Sequence, residues 1–369
     1  MKIDKNSLIP RYAQLKSILL NMLKTDNITP GSKIPSENEL VARFGISRPT
    51  IRHAISELIN EGILYREKGV GTFVADRYQP KKTKFIGLIL PYTKGPFEVE
   101  ITLGVEHVLY SNNYTLIFCN SGNNPVKERD NINRLRKKGV EGLIILPCEA
   151  EKSYKAISEL KSSAFPFILI DRYLPQLETD YVVSDNYSGA YEAVSYLIRQ
   201  GHRRIGLIIT PERNITPIRD RIEGYKDALR DNGLKYTEIP TAKLIPEGSY
   251  IMDIPEEQRV DTVKNFLNRN KISAVVASND LVALDVYRAV KQIGLSIPQE
   301  ISIVGFDDLS TSSVLTPPLT TIAQPKYELG KKAATVLLEI IRDERNEIGK
   351  FVLPTELMIR GSVAANSKG

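Results

Sequence analysis

Apolar and polar positions follow one rhythm in the first quarter of this chain and another in the remainder. Over residues 10–24, Tyr12, Leu15, Ile18, Leu19 and Met22 recur at helical spacing and predict a first helix. Ser36 and Glu39 form an S-x-x-E capping box ahead of Leu40, Val41 and Phe44, and Gly45 ends that second, short helix. Ser47 is placed to cap a third, with Pro49 in its first turn. There Ile51, Ala54, Ile55, Leu58 and Ile59 share one face at i, i+3, i+4, i+7, i+8. After Gly62, two short apolar runs at 63–65 and 72–74 flank Arg66-Glu67-Lys68-Gly69-Val70-Gly71. That pattern predicts a hairpin with a basic, glycine-containing tip, and the whole reads as a winged helix-turn-helix.

From Phe85 onward the pattern is one of near-continuous apolar runs, as buried parallel strands require. They fall at 85–90, 114–119, 142–146, 167–170, 205–209, 274–277 and 301–305, with helix-like stretches at 190–199, 221–230, 260–267 and 281–293 between several of them. Repeated βα alternation implies parallel sheets covered by helices on both faces. The length of this part favours two lobes. A helix near 327–341 and one strand near 351–359 are expected to finish the architecture. The expected fold class is α/β: a winged helix-turn-helix head over 1–75, a polar, basic linker over 76–84, and a two-lobed, doubly wound body over 85–369.

Charge sharpens the division. Residues 1–84 carry 15 Lys and Arg against 8 Asp and Glu, a net of +7, while the rest carries 35 against 36, a net of −1. Localised positive charge is the footprint of a domain that binds phosphates. Arg48 and Arg52 lie four apart near the start of the third helix, where they are either a solvated face or a pair aimed at a major groove. The helix-turn-helix and the basic tip favour the groove. Arg11, at the head of the first helix, either touches a phosphate or is merely solvated.

Other chemistry is thin. Cys119 and Cys148 have no metal-ligand spacing, and the three histidines are scattered. No phosphate-binding loop and no Ser-His-Asp motif is present, so an enzyme, such as a sugar-modifying one tethered to DNA, is the weaker reading. No apolar run reaches 18 residues and no leader pattern opens the chain, so a cytoplasmic location without membrane attachment is expected.

In open α/β sheets ligands sit beyond the carboxyl ends of strands. The polar and aromatic residues there are Tyr92, Phe97 and Glu98 after the first strand, Asp171 and Arg172 after the fourth, and Asp185 at a helix start. Arg219 and Arg221 follow the 205–209 run, Asn279 and Asp280 follow 274–277, and Asp307 and Asp308 follow 301–305. Each Asp or Asn is either a helix cap or a ligand contact. Converging carboxylates and arginines beside flat aromatic rings would suit a sugar, whose hydroxyls need charged partners and whose C–H face packs on rings.

Two resemblances add to this reading. Tyr12-Ala-Gln-Leu15, Ile34-Pro-Ser-Glu37, Ser47-Arg-Pro-Thr-Ile-Arg52 and Gly69-Val-Gly-Thr-Phe-Val74 resemble the DNA-binding domain of GntR-family repressors over nearly all of residues 8–75. The resemblance implies a double-stranded, palindromic DNA operator read by a homodimer. The candidate contact set is Arg11, Lys33, Ser36, Glu37, Ser47, Arg48, Thr50, Arg52, Lys68, Gly69 and Gly71. Arg221-Ile-Glu-Gly-Tyr225, Ser278-Asn-Asp280, Ile301-Ser-Ile-Val-Gly-Phe-Asp-Asp308 and Pro317-Pro-Leu-Thr-Thr-Ile322 resemble the effector domain of LacI/GalR repressors over about 85–363, a relative of periplasmic sugar-binding proteins. That likeness implies that Arg221, Asp280, Phe97, Glu98 and Asp171 hold the effector. Tyr92, Arg172 and Asp185 complete the candidate set. A GntR head on a LacI/GalR body resembles the arabinose-repressor family of Gram-positive bacteria. This implies a repressor that releases its operator on binding a small sugar, L-arabinose first, with another pentose, a galactoside or a purine as alternatives. No cofactor and no metal are expected.

Overall fold

The computed structural model describes residues 3, 10–25, 29–75, 83–92, 95–210, 215–234, 254–345 and 347–366. The chain divides into two compact units, 1–82 and 83–369. The linker expected over 76–84 lies outside the described residues apart from Thr83 and Lys84.

The first unit contains α1 (Arg11–Thr25), α2 (Glu37–Phe44), α3 (Arg48–Asn60) and a hairpin of β1 (Leu64–Glu67) and β2 (Gly71–Val74). Leu15, Leu40, Ile51, Ile55, Leu58, Leu64 and Val74 form its buried centre, so the residues at helical spacing do face inward. The capping box is present in full: Glu39 N–H donates to Ser36 Oγ at 3.3 Å, and Ser36 N–H donates to Glu39 at 2.7 Å. Gly45 closes α2 in the left-handed region, φ 63°, where a side chain would be strained. Ser47 departs from expectation. It stands at the N-cap of α3, but its hydroxyl pairs with the Thr50 hydroxyl at 2.8 Å and caps no backbone N–H.

The second unit is two α/β lobes. The first has a six-stranded, all-parallel sheet in the order β12-β7-β6-β5-β3-β4. Its strands are β3 (Phe85–Leu90), β4 (Thr115–Asn120), β5 (Gly142–Ile145), β6 (Phe167–Ile170), β7 (Tyr181–Ser184) and β12 (Lys350–Leu353). Helices α4 (Pro96–Ser111), α5 (Pro125–Lys137), α6 (Ala150–Ser162) and α11 (Lys326–Ile341) belong to it. The second lobe has the order β13-β11-β10-β9-β8, with only the β11–β13 pair antiparallel. Its strands are β8 (Ile205–Ile208), β9 (Ala274–Ala277), β10 (Ser302–Asp307), β11 (Thr320–Ala323) and β13 (Glu356–Met358). Around them lie α7 (Asn186–Arg199), α8 (Thr216–Asp231), α9 (Glu256–Arg269) and α10 (Asp280–Gln292).

The single strand expected near 351–359 is thus two strands split at Pro354, one in each sheet. The chain crosses between lobes three times, from β7 into α7, from β11 into α11 and from β12 into β13. Two helix pairs touch backbone to backbone through glycine. A Cβ on Gly104 would stand 2.0 Å from the Tyr327 carbonyl, and one on Gly224 would stand 2.2 Å from that of Tyr187. The second contact explains the Arg221-Ile-Glu-Gly-Tyr225 spacing. Gly224 seats α8 on α7, Tyr225 donates to the Ile205 carbonyl at 2.8 Å, and Arg221, one turn earlier, reaches the strand ends.

Candidate functional site

On the first unit most of the sequence-predicted residues are exposed. Arg11, Lys33, Ser36, Ser47, Arg48, Arg52, Lys68 and Gly69 are exposed, and Thr50 and Gly71 are half-buried. Arg48 projects from the first turn of α3 with no ion pair among the described residues. Glu37 is half-buried and paired. Its carboxylate accepts from Arg52 Nε at 2.8 Å and from the Arg66 guanidinium at 3.0 Å, tying α2, α3 and the wing into one charged plate. Gly71 also has a specific reason. A Cβ there would lie 2.5 Å from the Lys33 side-chain stem, which runs across it with the ammonium 6.0 Å from the Phe73 ring. The missing side chain seats a lysine on the wing.

In the second unit a cleft of about 110 Å³ opens between the lobes at the carboxyl ends of their strands. Tyr92, Phe97, Glu98, Asp171 and Arg172 reach it from the first lobe, and Arg221, Asn279, Asp307 and Gln324 from the second. Arg221 is the hub. It is buried, its Nε donates to Asn186 Oδ1 at 2.8 Å, another nitrogen donates to the Ser278 carbonyl at 2.5 Å, and its guanidinium lies 3.7 Å from the Phe306 ring centre. The third nitrogen stands 3.8 Å from Asp307, within ion-pair range but without a direct hydrogen bond. Gln324 holds that carboxylate with a 2.6 Å bond, and Lys326 donates to the Asp307 carbonyl at 2.6 Å. Asp307 adopts φ 116°, an unfavourable value for a residue with a side chain, kept by these contacts.

Burial sets the protonation here. It pushes the Asp307 carboxyl up to about 7 against the pull of Arg221, and raises Asp171 against Arg172 and Arg221. Glu98 is raised by the same cause. Its Oε2 and the Oε1 of Gln324 are buried without a hydrogen-bond partner. Such groups are costly to leave unsatisfied, and both border the cleft. Arg172 is anchored from behind by the Pro147 and Cys148 carbonyls at 3.0 and 2.8 Å.

Two expected effector residues lie elsewhere. Asp280 faces away from the cleft: one oxygen accepts from Leu309 N–H at 2.8 Å and Ser312 at 2.6 Å, the other from Thr321 at 2.6 Å. These three donors tie it to the strand ends, and its neighbour Asn279 borders the cleft instead. Asp185 caps α7 through Ser188 N–H at 2.9 Å and lines a separate surface hollow with Tyr187 and Tyr191. Asp307 and Asn279 were visible in the sequence as strand-end polar residues. Gln324 was not, because the short strand β11 that it follows is not among the long apolar runs.

Among the described residues no helix is long and apolar enough to cross a membrane, and no cluster of metal-ligating side chains occurs. Comparison with known proteins matches the same two parts. Residues 11–74 fit the profile of bacterial regulatory proteins of the gntR family, and 194–363 that of the periplasmic binding protein-like domain. The arabinose metabolism transcriptional repressor of Geobacillus stearothermophilus is 31% identical over 97% of this chain and 99% of its own. The ribose operon repressor of Haemophilus influenzae is 32% identical over 88% of this chain and 97% of its own. A LacI-family transcriptional regulator from Enterococcus faecium, solved with bound ribose, superposes with a TM-score of 0.65 at 31% identity, covering 77% of this chain and all of that one. The chain therefore belongs to the transcriptional repressors of sugar metabolism that join a GntR-type helix-turn-helix head to a LacI-type, periplasmic-binding-protein-like body.

Proposed function

We propose that this repressor binds a palindromic operator as a homodimer in the cytoplasm and releases it when a small neutral sugar, L-arabinose first, enters the interlobe cleft. One observation carries the ligand class: the gap of 3.8 Å between Arg221 and Asp307, flanked by the unsatisfied amide oxygen of Gln324. An effector hydroxyl bridging the two from the cleft side can donate to the carboxylate and accept from the guanidinium, a charge-assisted pair of bonds. Phe97 offers the flat surface on which a sugar's C–H face packs.

Binding from both lobes at once favours the closed arrangement, and only such differential affinity can move an equilibrium. Pairing of two copies is supported by an exposed apolar stripe on α4, Val99, Leu103 and Tyr110, next to Phe118 on the edge strand β4. The test is operator binding by the full chain titrated with L-arabinose, D-ribose, D-galactose and adenine, with sedimentation giving the oligomeric state. Release by L-arabinose at the lowest concentration is expected. Release by adenine alone would replace the sugar reading, and release by ribose alone would keep the class and change the sugar.

A further inference from the structure

The body carries one strongly basic surface that the effector cleft does not use. Between Lys127 and Lys138, along α5 and its C-cap, stand Lys127, Arg129, Arg134, Arg136, Lys137 and Lys138. Asp130 is the only exposed acid in that run, because Glu128 is buried and accepts from Cys148 N–H. The run carries six basic residues against two acids, while the rest of the body carries 29 against 34, so the positive charge here is local. Arg134, Lys137 and Lys138 are exposed and make no ion pair among the described residues.

Position gives the ridge its meaning. The three basic residues sit at the C-terminal end of α5, and the chain just beyond, at Gly139, accepts a 2.6 Å hydrogen bond from Thr83, the first residue of the body. Lys84 N–H is held by Glu141 at 2.7 Å, which fixes the point where the chain enters this lobe. The Glu141 carboxylate is itself taken up by Lys84 N–H and the Tyr114 hydroxyl. From Ala75, at the end of the wing, to Thr83 is eight Cα–Cα steps, which span at most about 30 Å. Duplex DNA carries one negative charge per about 1.7 Å of its axis, so many phosphates of any duplex gripped by the head fall within that tether.

We propose that the Arg134, Lys137 and Lys138 end of α5 is a second DNA-contacting surface, which holds the phosphate backbone of the duplex beside the sequence read by the head. The contact is to phosphate alone and adds affinity and salt dependence without base preference. Basic residues at a helix C-terminus also offset the helix dipole. That role alone would be seen as stability and not as DNA affinity, so the two are separable.

The inference rests on the head's role as operator reader, and the experiment keeps the two apart. The probe is a duplex selected from a random pool by the full chain, used as the selected core and as the core lengthened by about one helical turn, roughly 10 base pairs, at each end. Affinity is followed by fluorescence anisotropy against KCl for wild type and for the full chain carrying Arg134→Gln, Lys137→Gln and Lys138→Gln. Wild type should show a steeper salt slope on the long duplex than on the core. The triple variant should remove that difference, by about 0.9 for each phosphate it no longer neutralises and hence up to about 2.7, while matching wild type on the core. Lys137→Arg with Lys138→Arg should keep the wild-type slope. Equal wild-type slopes on both duplexes would overturn the proposal. So would a variant that melts earlier with its slope unchanged, or one whose only loss is binding to phosphatidylserine vesicles. A wild-type chain that selects no sequence would overturn the head's role, and the ridge's with it.

Discussion

The reading head and the effector cleft each set arginine against a carboxylate, in opposite surroundings. Arg52 and Arg66 meet Glu37 on an exposed surface, at side-chain exposures of 63%, 47% and 23%. Arg221 meets Asp307 at 7% and 14%. An exposed pair contributes roughly 0–1 kcal/mol and is screened by salt, so it yields readily when a phosphate or base edge offers a better partner. A buried pair is expensive to break, about 3–5 kcal/mol when one member is removed. The head is therefore built to exchange partners with a polyanion, and on the proposed function the cleft waits for one neutral guest that completes its bonding.

The sharpest way to break this contrast is Arg221→Ala. It strands Asp307 in a buried site, so unfolding free energy should fall by about 3–5 kcal/mol and sugar response should vanish, as read by denaturant melts and operator titration with L-arabinose. A variant of wild-type stability would mean that the buried pair is no firmer than the exposed one. Next comes Arg48→Ala, expected to weaken operator binding by about 1–3 kcal/mol with melting unchanged, because an exposed side chain supports DNA and not the fold. Unchanged operator affinity at matched salt would remove α3 from the groove.

Smaller, but more diagnostic, is the pH dependence of the cleft. Asp307 is raised to about 7 by burial, above its unfolded value near 3.9. Its contribution to stability is thus fully present below the unfolded value and is lost as pH rises through about 7. Ionised Asp307 is the better acceptor for a hydroxyl, so sugar affinity should increase from pH 6 to pH 8 by calorimetry, in step with the carboxyl's loss of its proton near pH 7. Asp307→Asn should flatten that profile and cost about tenfold, near 1.4 kcal/mol. A profile that keeps its slope in the variant would place the titrating group elsewhere. The smallest effect belongs to Glu37→Gln, under about 1 kcal/mol in stability. Freed from it, Arg52 and Arg66 should bind nonspecific DNA somewhat more tightly, which narrows the ratio of operator to random-duplex affinity.

Where the sequence was legible follows the same division. In the head, each signal is local. A capping box, a left-handed glycine and an i, i+3, i+4, i+7 stripe lie within a few residues of the structure they dictate, and all stand as expected. Ser47 failed only in detail, because Thr50 competes for its hydroxyl. In the cleft, strand-end positions revealed the neighbourhood, yet which member of Asn279-Asp280 or Asp307-Asp308 turns inward is decided by distant partners. Ser312 and Thr321 claim Asp280 from 32 and 41 residues away, and Gln324 claims Asp307 from 17 away. No periodicity encodes such pairings. The split of the last strand at Pro354 was hidden likewise, since its halves differ only in which sheet receives them.

The three crossings between lobes carry a mechanical consequence. At two of them the segments lie side by side, with Leu353 paired to Ser184 in the sheet and Thr355 donating to the Asp185 carbonyl at 3.2 Å. Bodies joined by neighbouring straps resist sliding and twisting and retain chiefly rotation about the line through the straps. Whatever small molecule fills the cleft, the lobes have essentially one coordinate along which to respond. Guest and output are then separable. Exchanging the few side chains around Arg221 should change which molecule fits the cleft, while the rotation open to the lobes stays the same.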